Sequence, residues 1–327
     1  MFVSKSAQLR LAVPLLLLGA CAAVHAGTWV KRSSLGNCTD GYIAVGAYTL
    51  PDSTSVPAFC FMKNEAKASY MGYLARSITG GNQALLAKNN YPVSEPEKLP
   101  WTGVTWQDAV AACASSGATL ITENQWLSIA HQVVTVPGNW TNGAVGNGAL
   151  FSGHNDNAPA SALAASAGTD GYSGTGQTTG SQRRTLTLLN GNVIWDIAGN
   201  AAEWVNQTIS TPGRYHGGDQ GAMSYNANDG TGKIAVNVLG NKIPPAPYTA
   251  LHGMGRYNDG SSRSGATNNI TESPENCTGS CATTTTVFAR GEGWSDGLAA
   301  GVFALNLSLG KSYASSGIGF RCVKVGN

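Results

Sequence analysis

Six cysteines spread along most of the chain constrain its fold more than any other feature. They are Cys38, Cys60, Cys113, Cys277, Cys281 and Cys322, and the seventh, Cys21, stands apart in an apolar N-terminal stretch. An even set of this kind suits three disulfides formed in an oxidising compartment. The N-terminal stretch agrees with that compartment. Lys5 and Arg10 give it a positive start, Leu11 to Leu18 form an apolar run, and small residues follow, as in an export signal. The run ends near Val24, short of the roughly 20 residues needed to span a bilayer.

Two processing routes fit residues 1–26. Val24-His25-Ala26 suits cleavage by an ordinary signal peptidase, whereas Leu18-Gly19-Ala20-Cys21 resembles a bacterial lipobox, in which Cys21 is lipidated and becomes the N-terminus. Both leave the same six cysteines. The lipobox makes an outer-membrane or cell-surface lipoprotein the expected form, with a periplasmic or secreted protein as the other outcome. Of the 327 residues only 12% are charged and 42 are Gly, against about 25% charged and about 7% Gly in average soluble domains. With 42% apolar residues the chain can fill a core. Loss of Lys5 and Arg10 leaves 18 basic against 18 acidic residues. A neutral chain without like-charge blocks excludes a nucleic-acid footprint and any electrostatic pull toward polyanions.

Periodicity locates the elements. Tyr42–Val45 and Phe59–Met62 read as short strands between Gly and Pro. Trp106, Ala109, Val110 and Cys113 form one helical stripe, with Thr105 as cap and Gly117 beyond the end. Thr122-Glu123-Asn124-Gln125 reads as a capping box opening a second helix, with Trp126, Ile129, Ala130 and Val133 as its buried face and Pro137-Gly138 closing it. Asn190-Gly191, between Thr185–Leu189 and Asn192–Asp196, predicts a hairpin with a type I′ turn. Residues 139–181 and 207–285 read as loops. Val302–Leu307 and Ile318–Val323 read as closing strands. One mixed α+β domain over residues 27–327 accounts for this pattern, with no internal repeat.

Side-chain chemistry alone shows no enzyme. His131, His154, His216 and His252 lack metal-ligand spacing and read as satisfied imidazoles. His154-Asn155-Asp156-Asn157 reads as a polar turn. Gly174-Thr175-Gly176 and Gly253-Met254-Gly255 lack the context of a dinucleotide loop, and Ser308-Leu309-Gly310-Lys311 lacks the partner motifs of serine acyl-enzymes.

Three segments together resemble the formylglycine-generating-enzyme, or sulfatase-modifying-factor, family. They are Val104-Thr105-Trp106 to Cys113 with Leu120–Trp126, Trp195-Asp196-Ile197-Ala198-Gly199-Asn200-Ala201-Ala202-Glu203-Trp204, and Ala289-Arg290-Gly291 with Trp294 and Ile318–Cys322. The resemblance implies a variant C-type lectin fold, α+β, irregular and loop-rich, over roughly residues 38–325. It implies disulfides Cys113–Cys322, Cys38–Cys60 and Cys277–Cys281. It also implies a structural Ca²⁺ held by the Asp196 and Glu203 carboxylates and the Gly199 and Ala201 carbonyls, hard oxygens of the kind Ca²⁺ needs. Catalysis does not carry over. The oxidase of the family holds copper through two cysteines, and those positions fall here at about Asp296 and Gly301. The iron-dependent relatives need a His-bearing domain for which there is no room, so neither copper nor iron is expected.

The stretch 290–321 resembles the variable region of proteins that retroelements diversify by adenine-directed mutagenesis. Arg290, Gly291, Trp294, Gly301–Leu307 and Ile318–Arg321 match its frame. Between them lie Ser295, Asp296, Leu298, Ser308, Leu309, Tyr313, Ser315 and Gly317, most of which can be reached from an Asn codon by changing adenines, and together with the frame residue Trp294 they form the implied ligand-binding set. Alternation along the strands would keep Val302 and Ala304 buried while their neighbours vary. The expected function is non-catalytic recognition of a protein or glycan on a cell, phage or host surface. An oxidoreductase of the family or a fixed structural envelope protein are the alternatives.

Overall fold

The computed structural model describes residues 41–69, 90–167, 182–211 and 284–325, apart from 52, 98 and 298–299, together with Cys38 and the short strands at 256–257, 267–268 and 270–271. All belong to one folded unit, Arg32–Asn327. The export signal and Cys277 with Cys281 lie outside the described residues.

The chain begins with β1 (Tyr42–Val45), β2 (Tyr48–Thr49), β3 (Ser55–Val56), β4 (Phe59–Met62), β5 (Lys67–Ala68) and β6 (Pro92–Val93). Helix α1 (Trp106–Ser115), β7 (Thr119–Leu120) and helix α2 (Glu123–Val134) follow. After a long irregular stretch come β8 (Thr185–Thr187), β9 (Val193–Trp195) and β10 (Ala202–Thr211), then the short β11 (Arg256–Tyr257), β12 (Thr267–Asn268) and β13 (Ile270–Thr271). The end of the chain forms β14 (Thr284–Gly291), β15 (Gly301–Gly310), β16 (Ile318–Phe320) and β17 (Cys322–Val325). A four-stranded sheet runs β1-β4-β17-β7 and a five-stranded sheet runs β13-β15-β14-β10-β16.

Both helices start where their caps require. The Thr105 hydroxyl accepts from the Asp108 amide at 3.1 Å while the Asp108 carboxylate accepts from the Thr105 amide at 3.3 Å. Thr122 and Gln125 make the same reciprocal pair. Each pair satisfies amides that the first turn would otherwise leave orphaned. Gly117, at φ +67°, follows the end of α1. Helix α2 differs from the expected single apolar face, because every residue from Trp126 to Val134 is buried. It lies inside the core, and the Trp126 indole donates to the Val302 carbonyl at 2.8 Å. His131 is a core residue there, its ring 6.0 Å from that of Tyr48 and 5.3 Å from that of Phe303.

The hairpin forms, with a different turn. Leu188 N–H donates to the Asn192 carbonyl and Gly191 N–H to the Leu188 carbonyl, so the loop holds three residues. Gly191 is left-handed at φ +85°, and Asn190 is not among the positive-φ residues. That combination is a type I turn followed by a left-handed glycine, whereas type I′ needs positive φ at both central residues. The Asn190 side chain stabilises it by accepting from Asn192 N–H at 3.0 Å and donating to the Ala44 carbonyl at 2.8 Å.

The two ends of the second expected loop are strand. β10 reaches Thr211, and the threonine run at 284–286 opens β14, where β-branched side chains suit a pleated surface. The predicted strand Ile318–Val323 divides at Arg321. Ile318–Phe320 pairs in parallel with β10, and Cys322–Val325 crosses to the other sheet to pair with β4 and β7. Disulfides join Cys113 to Cys322, from α1 to β17, and Cys38 to Cys60.

Candidate ligand-binding surface and the charges beneath it

Strand β15 does not display alternate residues. Val302, Phe303, Ala304 and Leu305 are all fully buried, because β15 is an interior strand with β13 and β14 at its sides and core on both faces. Leu309, expected at the surface, is 5% exposed and belongs to the core beside Val287. The candidate surface is therefore carried by the turns on either side of β15, at 293–297 and 311–317.

In the first turn Asp296 caps the backbone, its carboxylate accepting from Gly293 N–H at 2.6 Å. Ser295 is exposed and Trp294 half-buried. In the second turn Tyr313 is 43% exposed, and the Ser315 hydroxyl accepts from Gly317 N–H at 3.2 Å. The turns meet, since a Cβ on Gly317 would stand 4.0 Å from the Trp294 indole nitrogen. Leu298 lies outside the described residues, as does the side chain of Ser308. Sequence reasoning missed a cavity of about 230 Å³ beside Trp294, whose other walls include Leu99, Thr102, Ser161 and Ser316. Leu99, Thr102 and Ser161 come from loops distant in sequence and carry no motif.

The first turn is bolted to the middle motif by Asn200. Trp294 N–H donates to the Asn200 carbonyl at 3.1 Å, and the Asn200 side chain donates to Glu65 at 2.6 Å and accepts from Leu163 N–H at 2.7 Å. From below, the Trp294 carbonyl accepts from Asn157 N–H and the Asn155 carbonyl from Gly297 N–H. The His154–Asn157 segment is thus a turn supporting the surface, with the buried His154 Nε2 at 2.9 Å from the Pro159 carbonyl. Gly199 sits at φ +69°, where a Cβ would come within 2.5 Å of the His154 carbonyl oxygen, so only glycine fits.

The expected calcium ligands meet arginines. Both Asp196 carboxylate oxygens accept from the Arg184 guanidinium at 2.6 Å. Glu203 accepts from Arg321 Nε at 2.9 Å, and Arg321 also donates to the Asp196 carbonyl at 2.6 Å. Of the side-chain oxygens expected to bind calcium, only Glu203 Oε2 lacks a partner. Ca²⁺ takes roughly six to eight oxygens, and among the described residues no three His, Cys, Asp or Glu groups are arranged for a metal. Asp196, Gly199, Ala201 and Glu203 as they stand do not fit a calcium ion.

Other ionised groups crowd the same region. Glu65 accepts from Ala201 N–H at 3.1 Å and lies 3.8 Å from the Lys67 ammonium. Burial pushes the Glu65 and Glu203 carboxyls up, against the pull of Lys67 and Arg321 respectively, and pushes Lys67 down. Sequence reasoning also missed Arg290 as a tie. It pairs with Glu123 at the start of α2 and donates to the Phe303 carbonyl at 3.0 Å. Glu292, equally unforeseen, is buried at φ +55° with Oε1 unpartnered; desolvation, then Asp296, raises its pKa to about 8.

The positions matching the copper ligands of the oxidase are a turn-capping carboxylate, Asp296, and a buried strand glycine, Gly301, paired with Gly291. Every cysteine among the described residues is in a disulfide.

Two capped helices, a two-sheet core and irregular loops tied by buried ion pairs define the C-type lectin architecture in its formylglycine-generating-enzyme form. The model of the sulfatase-modifying factor enzyme 1-like domain matches residues 42–325, and the chain belongs to that family. No curated protein sequence matches. Among solved structures the chain is similar to CarF at 13% identity and a TM-score of 0.37, over 87% of this chain and 97% of that one. It is similar to variable protein 1 of Treponema denticola at 15% and 0.36, over 91% and 99%. It is also similar to the I1 variant of the Major Tropism Determinant at 12% and 0.29, over 88% and 73%.

Proposed function

We propose that this chain is a non-catalytic binding protein, exported and anchored through a lipid on Cys21, whose 290–321 region is diversified by a retroelement for recognition of variable ligands. The observation that carries the reading is the division between frame and turns. The frame residues Arg290, Val302–Leu305 and Phe320–Arg321 are fully buried, while Trp294, Ser295, Tyr313 and Ser315 stand in adjoining turns with side chains at least partly open to solvent. Changes in such turns leave the packing alone, and changes in the frame do not. Trp294 and Tyr313 would anchor a ligand, because large aromatics of limited freedom contribute most to interfaces. The absence of thiols at 296 and 301 argues against the oxidase chemistry of the family.

The ligand would be a protein or glycan on a cell, phage or host surface. Retention of the labelled protein on intact cells and on a glycan array tests this reading. Trp294→Ala and Tyr313→Ala should lose retention while Tm moves by no more than a surface substitution allows, about 0.5 kcal/mol in stability. Retention unchanged in both variants would remove the assignment of the surface.

A further inference from the structure

We infer that Arg184 and Arg321 do inside this chain the work of a calcium ion, clamping the Asp196–Glu203 turn so that the fold stands without metal. A bound cation in such a turn gathers side-chain carboxylates and backbone carbonyls around one positive charge. Each guanidinium here does the same. Arg184 takes both oxygens of Asp196 and donates to the Ala164 carbonyl at 2.9 Å and the Leu163 carbonyl at 3.2 Å. Arg321 takes Glu203 and the Asp196 carbonyl, and reaches the Lys63 carbonyl at 3.4 Å. The planar fork of arginine suits bidentate contact with a carboxylate and stays charged when buried.

Charge balance points the same way. Glu65, Asp196 and Glu203 bring three acidic groups, and Lys67, Arg184 and Arg321 three basic ones, all buried. A divalent cation added to this set would leave two uncompensated charges out of water, a large desolvation cost. The one unpartnered side-chain oxygen of the set, Glu203 Oε2, cannot offset it. The clamp holds Asn200 beneath Trp294, so the candidate surface would keep its shape whatever the calcium level outside the cell.

Thermal unfolding of the purified full-length protein in excess EDTA and in millimolar calcium, with bound calcium counted by mass spectrometry after dialysis, tests the inference. The expected result is one Tm in both buffers and no stoichiometric calcium. Arg184→Ala should lower Tm by several degrees and make it rise with calcium, because Asp196 is then free to bind it. Should that variant fail to fold, the wild-type comparison still decides. A wild-type Tm that falls in EDTA and recovers with calcium, with the response lost in Asp196→Asn, overturns the inference. A calcium response that persists in Asp196→Asn also overturns it, because the fold then depends on an ion that the arginines do not replace.

Discussion

Glu292 is the residue at which local strain and burial meet. It adopts a left-handed backbone rare for a non-glycine residue and buries a carboxyl with one oxygen unpartnered. With its pKa raised to about 8, the folded state holds a proton that the unfolded chain releases near its ordinary value of 4.5. The stability this group contributes is present below pH 4.5 and is lost as pH rises through 8. Glu292→Gln should therefore stabilise the protein at pH 8 relative to wild type and flatten that part of the stability curve. Urea unfolding between pH 4 and pH 9 checks it, and parallel curves for the two proteins would contradict it. Gly199→Ala should cost more than about 1 kcal/mol, since left-handed φ and the clash with the His154 carbonyl add. A Tm equal to that of wild type would refute that account of the turn.

Among the elements, β15 decides what can vary. An interior strand buried on both faces accepts no diversity, and truncating Phe303 to Ala should cost about 3–5 kcal/mol, measured by denaturant unfolding. Alternation in the sequence suggested one open face, because Asn306 and Ser308 interrupt an otherwise apolar run. Burial of Phe303 against His131 of α2 could not be read from that run, since it depends on where a distant helix packs. The caps of α1 and α2, the hairpin around Asn190-Gly191 and the strands at 42–45 and 59–62 were legible, because each rests on neighbours in sequence. The split of the last strand at Arg321 was not, because what turns the chain there is a pairing with Glu203, 118 residues away. The carboxylates of the middle motif were legible as a site, but Arg184, the partner of Asp196 across the hairpin, carries no motif of its own.

At the scale of the molecule, long-range covalent and ionic ties hold a loop-rich chain together. Cys113–Cys322 closes a separation of 209 residues, and removing it as a Cys→Ala pair should cost about 2–5 kcal/mol, read from Tm under non-reducing conditions. Arg290 and Arg321 bracket the candidate surface and are themselves fully buried, each paired with a carboxylate from another element. The buried part of the frame that reads in sequence as a signature of diversified proteins, Arg290, Val302–Leu305 and Phe320–Arg321, is in physical terms a set of residues that cannot change without unpairing a buried charge or opening the core. The central claim is that the turns it supports do change. Deep sequencing of the 3′ end of the gene from a cell population, with its flanking locus, measures this directly. The account predicts substitutions at template adenines in codons such as 295, 296, 313 and 315, a nearby template repeat, and unchanged codons for Arg290, Val302–Leu305 and Ile318–Arg321. An invariant 3′ end with no template repeat, or substitutions spread equally through the frame codons, would contradict it.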